Sequence, residues 1–331
     1  MIPSEEDTMV RWICIAVLVA VAPAAVTPFA AAQGYPNQPI RLIAPFPPGG
    51  SVDITARLVA DPLGAQLGTR IVIDNRSGAS GNIGMEAAAR APADGYTIVL
   101  NTIPLVTNQA LFANLTWDPI RDFAPIGMVA TSPHVLVVPP KNQAKSVAEL
   151  LDDVRAHPGK LSYASAGYGT TFHFCGEIFK DETHTFILHV PYRGGGPALQ
   201  DTLGGQVDMS FPTLAAALPH VRSGRLRALA ITDNRRSKLL PEVPTLDEAG
   251  VKGFYFVQWL ALLAPAGTPP ELVKRLNQAL NAALQNKELL DKFDAQAMEP
   301  YVTTPEEAGK FLASEVQRYA RVIKARGITA D

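Results

Sequence analysis

Short apolar runs alternate with stretches of helical period along most of this chain, and that alternation restricts its fold more than any other feature. Residues 40–44 (I-R-L-I-A) read as a buried strand, and residues 53–67 follow with apolar side chains at Ile54, Leu58, Val59, Leu63 and Leu67, a helical spacing. Residues 71–73 and 96–101 read as further strands, separated by a glycine-rich turn at 77–84 and a helix through residue 91. Parallel neighbours in a sheet need crossover connections of this length, so the pattern predicts an α/β lobe with a largely parallel sheet.

The register changes near residue 124. Residues 126–130 and 134–138 are apolar, β-branched runs that read as a strand pair leading into a second lobe. That lobe repeats the alternation, with strands at 162–164, 187–190, 208–211 and 227–231 and helices at 147–156, 171–180, 197–203 and 214–223. Residues 254–263 form a long apolar run that reads as a return crossing. Helices at 269–285, 287–295 and 305–325 follow, opened by proline or acidic residues near a threonine, and are expected to cover the first lobe.

The amino end has a different character. Arg11 precedes an apolar run at 12–22 and small residues ending Ala30-Ala31-Ala32, so residues 1–32 are expected to be a signal peptide cut before Gln33. The acidic Glu5, Glu6 and Asp7 sit badly in such a leader and point to translation from Met9. The expected organisation is lobe 1 from residues 33–130 and 251–331, and lobe 2 from 131–250. Without the leader, Cys175 is the one remaining cysteine, and a single thiol cannot form an internal disulfide, so stability must come from an ordinary core.

Arg11 against the three leader acids accounts for the formal net charge of −2, leaving the rest balanced. No basic block marks a nucleic-acid surface. No later apolar run approaches the roughly 20 residues of a membrane helix, so the mature chain is not expected to insert into a membrane. A monomer is expected.

Three strand-to-helix loops carry the candidate chemistry. In A-P-F-P-P-G-G-S-V-D (44–53), prolines stiffen the turn while Gly49 and Gly50 allow backbone N–H groups to approach an anion at a helix N-terminus. The plain alternative is a tight turn with Asp53 as a helix cap. In S-Y-A-S-A-G-Y-G-T-T-F-H-F (162–174), Ser165, Thr170 and Thr171 offer hydroxyls and Gly167 and Gly169 bare amides, while Thr170 also suits an N-cap. In V-P-Y-R-G-G-G-P-A-L (190–199), Tyr192 is a candidate pocket residue, and Arg193 points either into the cleft or to solvent.

Enzyme signatures are missing. Gly167-Tyr168-Gly169 lacks the third glycine of a dinucleotide loop, there is no phosphate loop, and Tyr163 stands where a nucleophile elbow around Ser165 needs glycine. The six histidines show no metal-site spacing. His173 reads as a helix histidine holding a neighbouring backbone group, and Cys175 as a small buried apolar residue.

Taken together, Y-P-N-Q-P-I-R-L-I-A-P-F-P-P-G-G (35–50), R-S-G-A-S-G-N-I-G (76–84), D-G-Y-T (94–97), H-V-P-Y-R-G-G-G-P-A-L (189–199) and L-L-A-P-A-G-T-P (262–269) resemble the Bug-type receptors, the substrate-binding components of tripartite tricarboxylate transporters. The resemblance implies a two-lobed, type II-like periplasmic binding fold, a Venus flytrap with two hinge-crossing strands. It implies no catalysis and no cofactor or metal, a small organic acid as ligand, and membrane permease components as partners. It nominates Phe46, Pro48, Gly49 and Gly50 on one side, with Asp53 in the same loop, and Ser165, Ala166, Gly169, Thr170 and Thr171 opposite, with Tyr192 and Asp208 as pocket walls. Residues 101–108 (N-T-I-P-L-V-T-N) depart from the family's G-T-x-x-x-H-A pattern. They are expected to form a loop at the distal end of the ligand, apolar at Ile103, Leu105 and Val106, with Thr102 as a polar contact. Two other outputs fit the same loops: a ligand sensor docking on a signalling partner, and an α/β enzyme using Ser165.

Overall fold

The computed structural model describes residues 34–329, so the expected signal peptide and the choice between Met1 and Met9 lie outside the described residues. The alternation read from the first hundred residues is present as β1 (Ile40–Ala44), α1 (Ser51–Leu67), β2 (Ile71–Asn75), α2 (Asn82–Ala89) and β3 (Thr97–Asn101). β1 lies between β2 and β3 and is parallel to both, with Leu42 opposite Ile73 on one side and Ile98 on the other. Side chains along β1 and β3 are almost all buried, as expected for strands covered on both faces.

α3 (Pro104–Leu111) replaces the loop expected at 101–108. Pro104 stands in its first turn, where its missing N–H costs nothing. Ile103, Leu105 and Val106 are buried in the hydrophobic core, so they do not form an apolar wall facing a ligand.

β4 (Phe123–Pro133) and β5 (Val135–Val138) are not a hairpin pair. Only His134 separates them, and the chain passes there from one sheet to another: β4 pairs with β10 (Val257–Pro265), whereas β5 pairs with β8 (Met209–Ser210) and β9 (Arg227–Ile231). Two adjacent crossings result, because the Phe256 N–H donates to Thr232 O at 2.9 Å in the second sheet just before β10 enters the first. β10 is antiparallel to both β3 and β4, making the first sheet mixed rather than largely parallel.

The second sheet includes β6 (Ser162–Ser165) and β7 (Leu188–Pro191), in the order β7-β6-β8-β5-β9. Its helices are α4 (Val147–Ala156), α5 (Thr171–Thr183), α6 (Gly195–Leu203) and α7 (Leu214–Arg222). α8 (Pro270–Ala283), α9 (Lys287–Ala295) and α10 (Pro305–Arg326) then return to the first sheet, whose order β11-β4-β10-β3-β1-β2 is completed by β11 (Glu299–Pro300). α8 and α9 pack on α1, and α10 on β4 and α3. Thr304 and Glu307 form a reciprocal capping box that starts α10: the Glu307 N–H donates to Thr304 Oγ1 at 3.2 Å and the Thr304 N–H to Glu307 Oε2 at 2.8 Å.

Candidate functional site

The first loop follows β1 at the carboxyl end of the first sheet, the usual ligand end of such sheets. Its shape is held by Asp53, which is 3% exposed. The Gly49 N–H and Arg57 Nε donate to Asp53 Oδ2 at 3.0 Å each, and Asn75 Nδ2 donates to Oδ1 at 3.0 Å and to Phe46 O at 3.1 Å. Asp53 is therefore a brace behind the loop. It is neither the helix cap, a position held by Gly50, nor a residue presented to a ligand. Pro48 and Gly49 are exposed, and the Gly49 amide is committed to Asp53.

Burial acts to raise the Asp53 pKa, but the hydrogen bonds from Arg57, Gly49 and Asn75 outweigh it and hold the carboxyl below its ordinary value. Its stabilisation is therefore complete at neutral pH and is lost as pH falls through that lowered value. Asp53→Ala leaves several donors without an acceptor and is expected to cost about 2 kcal/mol in urea unfolding, with Asp53→Asn losing less; equal stability of wild type and Asp53→Ala would exclude the bracing role.

The second loop is braced in the same manner. The Gly167 N–H donates to Ser165 Oγ at 3.1 Å, and Ser165 Oγ shares a 2.6 Å hydrogen bond with His189 Nε2. The Gly169 N–H donates to His173 Nδ1 at 3.1 Å, as a backbone-holding histidine should. Thr170 occupies the N-cap of α5, but its hydroxyl turns back to Gly167 O at 2.6 Å instead of capping the helix. Ser165 and Gly169 thus support the loop from within, with their polar groups already used.

The braced loops meet in a slot of about 30 Å³ lined by Phe46, Gly50, Thr102, Ala166, Thr170 and Thr171 from the expected set, joined by Ser51, Val52, Pro104, Phe172 and Gly195. Thr102 Oγ1 donates to the Trp259 carbonyl at 2.5 Å. A wider cavity of about 280 Å³ shares Phe46 and Ala166 with the slot and is also lined by Phe112, Tyr168, Tyr192 and Arg193. Tyr192 therefore belongs to the outer cavity, its hydroxyl donating to Asp201 at 2.7 Å, and Arg193 faces that cavity too.

Asp208 lies elsewhere. It accepts from the Ser162 N–H at 2.9 Å and hydroxyl at 3.0 Å, at the start of β6, whereas the slot lies beyond the end of β6 at Ser165. It is a wall of a separate surface groove with Lys141 and Lys160, which corrects its expected place.

The slot's chemistry follows from its lining. None of the lining residues is ionisable, yet α1, α3, α5 and α6 all begin there, at Ser51, Pro104, Thr171 and Gly195. Several helix N-termini thus bring their positive dipole ends to one small volume, which suits an anion held without a charged partner. The Ser165–His189 hydrogen bond resembles a nucleophile and its base, but Ser165 is fully buried and lines neither cavity. Among the described residues, no group of His, Cys, Asp and Glu could hold a metal ion. Sequence reasoning overlooked Ser51 and Gln258, whose hydrogen bond joins α1 to β10.

Comparison with known proteins adds to this geometry. Residues 55–328 match the family described as "Tripartite tricarboxylate transporter family receptor". Protein BugT of Bordetella pertussis is 41% identical over 298 residues, covering 89% of this chain and 91% of that protein. A Rhodopseudomonas palustris protein solved with adipate is 36% identical, with a TM-score of 0.86 over 89% of this chain and 99% of its own. MatC from Rhodopseudomonas palustris, solved with bound malate, is 30% identical, with a TM-score of 0.81 over 87% of this chain and 100% of its own.

Proposed function

From the premise that this chain belongs to the tripartite tricarboxylate transporter receptor family and has its two-lobed periplasmic binding fold, we propose that it captures a small organic carboxylate in the slot. It is a solute-binding receptor. The convergence of helix N-termini on a slot without ionisable lining carries the reading. One carboxylate lies between Gly50-Ser51 and Thr170-Thr171, and the body of the acid extends past Phe46 and Ala166 into the outer cavity. The lobes divide at the two crossings, His134 and Phe256, a few residues beyond the bounds of 130/131 and 250/251 expected from the sequence, and closure of one on the other commits the ligand.

The receptor works in the periplasm after loss of residues 1–32, presents its acid to membrane permease components, and carries out no catalysis. Among the described residues no helix is long and apolar enough to cross a membrane. Isothermal titration of refolded protein tests the reading. Adipate, malate, citrate, benzoate and glutamate form the panel, and at least one is expected to bind with Kd well below about 1 mM. Silence across the panel overturns the carboxylate reading.

A further inference from the structure

Gln258 stands at the start of β10, just after the chain crosses from the second sheet into the first, and is fully buried within an otherwise apolar run. Its Oε1 accepts two hydrogen bonds of 3.2 Å, one from Ser51 Oγ and one from Thr171 Oγ1. Those donors are the first residues of α1 and α5 and both line the slot. One side-chain amide thus ties together the two helix starts that face each other across the cleft. Its Nε2 has no hydrogen-bond partner among the described residues.

The donor count is the informative part. The amide brings two N–H donors and each hydroxyl one O–H; both hydroxyl protons go to the amide oxygen, and the amide N–H groups have no acceptor among the described residues. With the amide as placed, Nε2 is left over; with its ends exchanged, Nε2 serves the hydroxyl oxygens and the hydroxyl protons are left over. Either arrangement leaves donors without an acceptor, and the two hydroxyl residues that meet the amide, Ser51 and Thr171, line a slot of about 30 Å³, room for roughly one or two water-sized groups. A carboxylate oxygen supplies the acceptor that a buried donor set requires.

We propose that Gln258, with Ser51 and Thr171, forms a direct carboxylate-oxygen site at the base of the slot, so that one residue beside a crossing reads both the ligand and the approach of the two helix starts. The assignment rests on the carboxylate reading above and adds to it a side-chain determinant, where the helix ends alone would recognise any small anion.

Titration of Gln258→Glu with adipate and with malate at pH 8 and pH 6 tests it. This variant keeps the acceptor oxygen for both hydroxyls and replaces only the donor. At pH 8 its charge opposes the ligand, and affinity is expected to fall at least about tenfold. At pH 6 protonation of the buried carboxyl restores a donor and recovers part of the loss, while the wild type changes little. A purely structural role gives no such recovery. Gln258→Met, similar in volume but without donors, carries the test if Gln258→Glu does not fold, and is expected to bind about tenfold more weakly at both pH values. Wild-type binding with both variants unchanged overturns the Gln258 assignment alone; a wild type that binds no acid of the panel overturns the carboxylate reading with it.

Discussion

Lowering the pH from 7 to 5 is expected to remove about 2 kcal/mol of stability for each of His134 and His173, a large part of what a domain of this kind has. Burial pushes His134 down to about 3, and burial with the Lys180 charge pushes His173 down to about 4. In the unfolded chain both take up a proton near about 6.5. The unfolded state therefore binds more protons over the intervening range, and stability is complete above the unfolded value and falls as pH drops below it. The groups facing His173 are Glu177, with an oxygen 4.0 Å from Nε2, Lys180, Tyr168 and the stacked His189 at 4.3 Å. His189 is itself lowered to about 3, first by burial and then by His173, so it adds to the same trend. His134 has Phe172 and Phe256 edge-on at 5.8 and 5.4 Å and no partner for either ring nitrogen among the described residues. Urea unfolding at half-unit pH steps checks this. His134→Leu should flatten the profile by about one proton, and a pH-independent midpoint in the wild type would refute the account.

The second large effect concerns closure. Gly194 has φ +124°, a region that L side chains rarely adopt, and a Cβ there would lie 2.5 Å from Pro47 Cγ on the opposite loop. Gly194→Val is expected to keep the fold, at about 1–3 kcal/mol of local strain, while holding the loops apart. Ligand affinity should then fall at least about tenfold, since each 1.4 kcal/mol withheld from the closed state is a factor of about ten. Gly196→Ala is the control: its Cβ meets only Pro48 O at 3.4 Å, so titration should show a much smaller change. Small-angle scattering of the ligand-saturated proteins should find Gly194→Val more extended than wild type. Equal affinity and equal size would show that this approach does not limit closure.

How far the residues announced this structure depended on distance along the chain. The β1-loop-α1 unit was legible because a buried strand, a Pro-Gly turn and a helical period are local patterns. The 101–108 stretch was misread because apolar residues just before and within α3 look like an apolar wall until the core takes them; Pro104 in the first helical turn was the available signal. Asp208 was misplaced because it precedes its strand, and in a sheet whose carboxyl ends form the site a residue before a strand lies at the far end. Gln258 stayed hidden because its partners lie 207 and 87 residues away. A lone amide inside an apolar strand was the clue, since such a group is buried only where something satisfies it.

The interleaving of the two sheets also sets an order of assembly. Every strand of the second sheet lies between Val135 and Ile231, a continuous piece of chain. The first sheet begins earlier, at Ile40, yet β3 and β4 are joined only when β10, beginning at Val257, is laid between them, and α1 is covered only by α8 and α9. Its closure therefore waits on contacts such as Ala261 with Asn101 and Leu263 with Val99, 160 and 164 positions apart, the kind that form late. As the chain is made, the part synthesised first is completed last. Truncation before Val257 should leave the second lobe able to fold, with β3 and β4 as unpaired edges open to association with other chains.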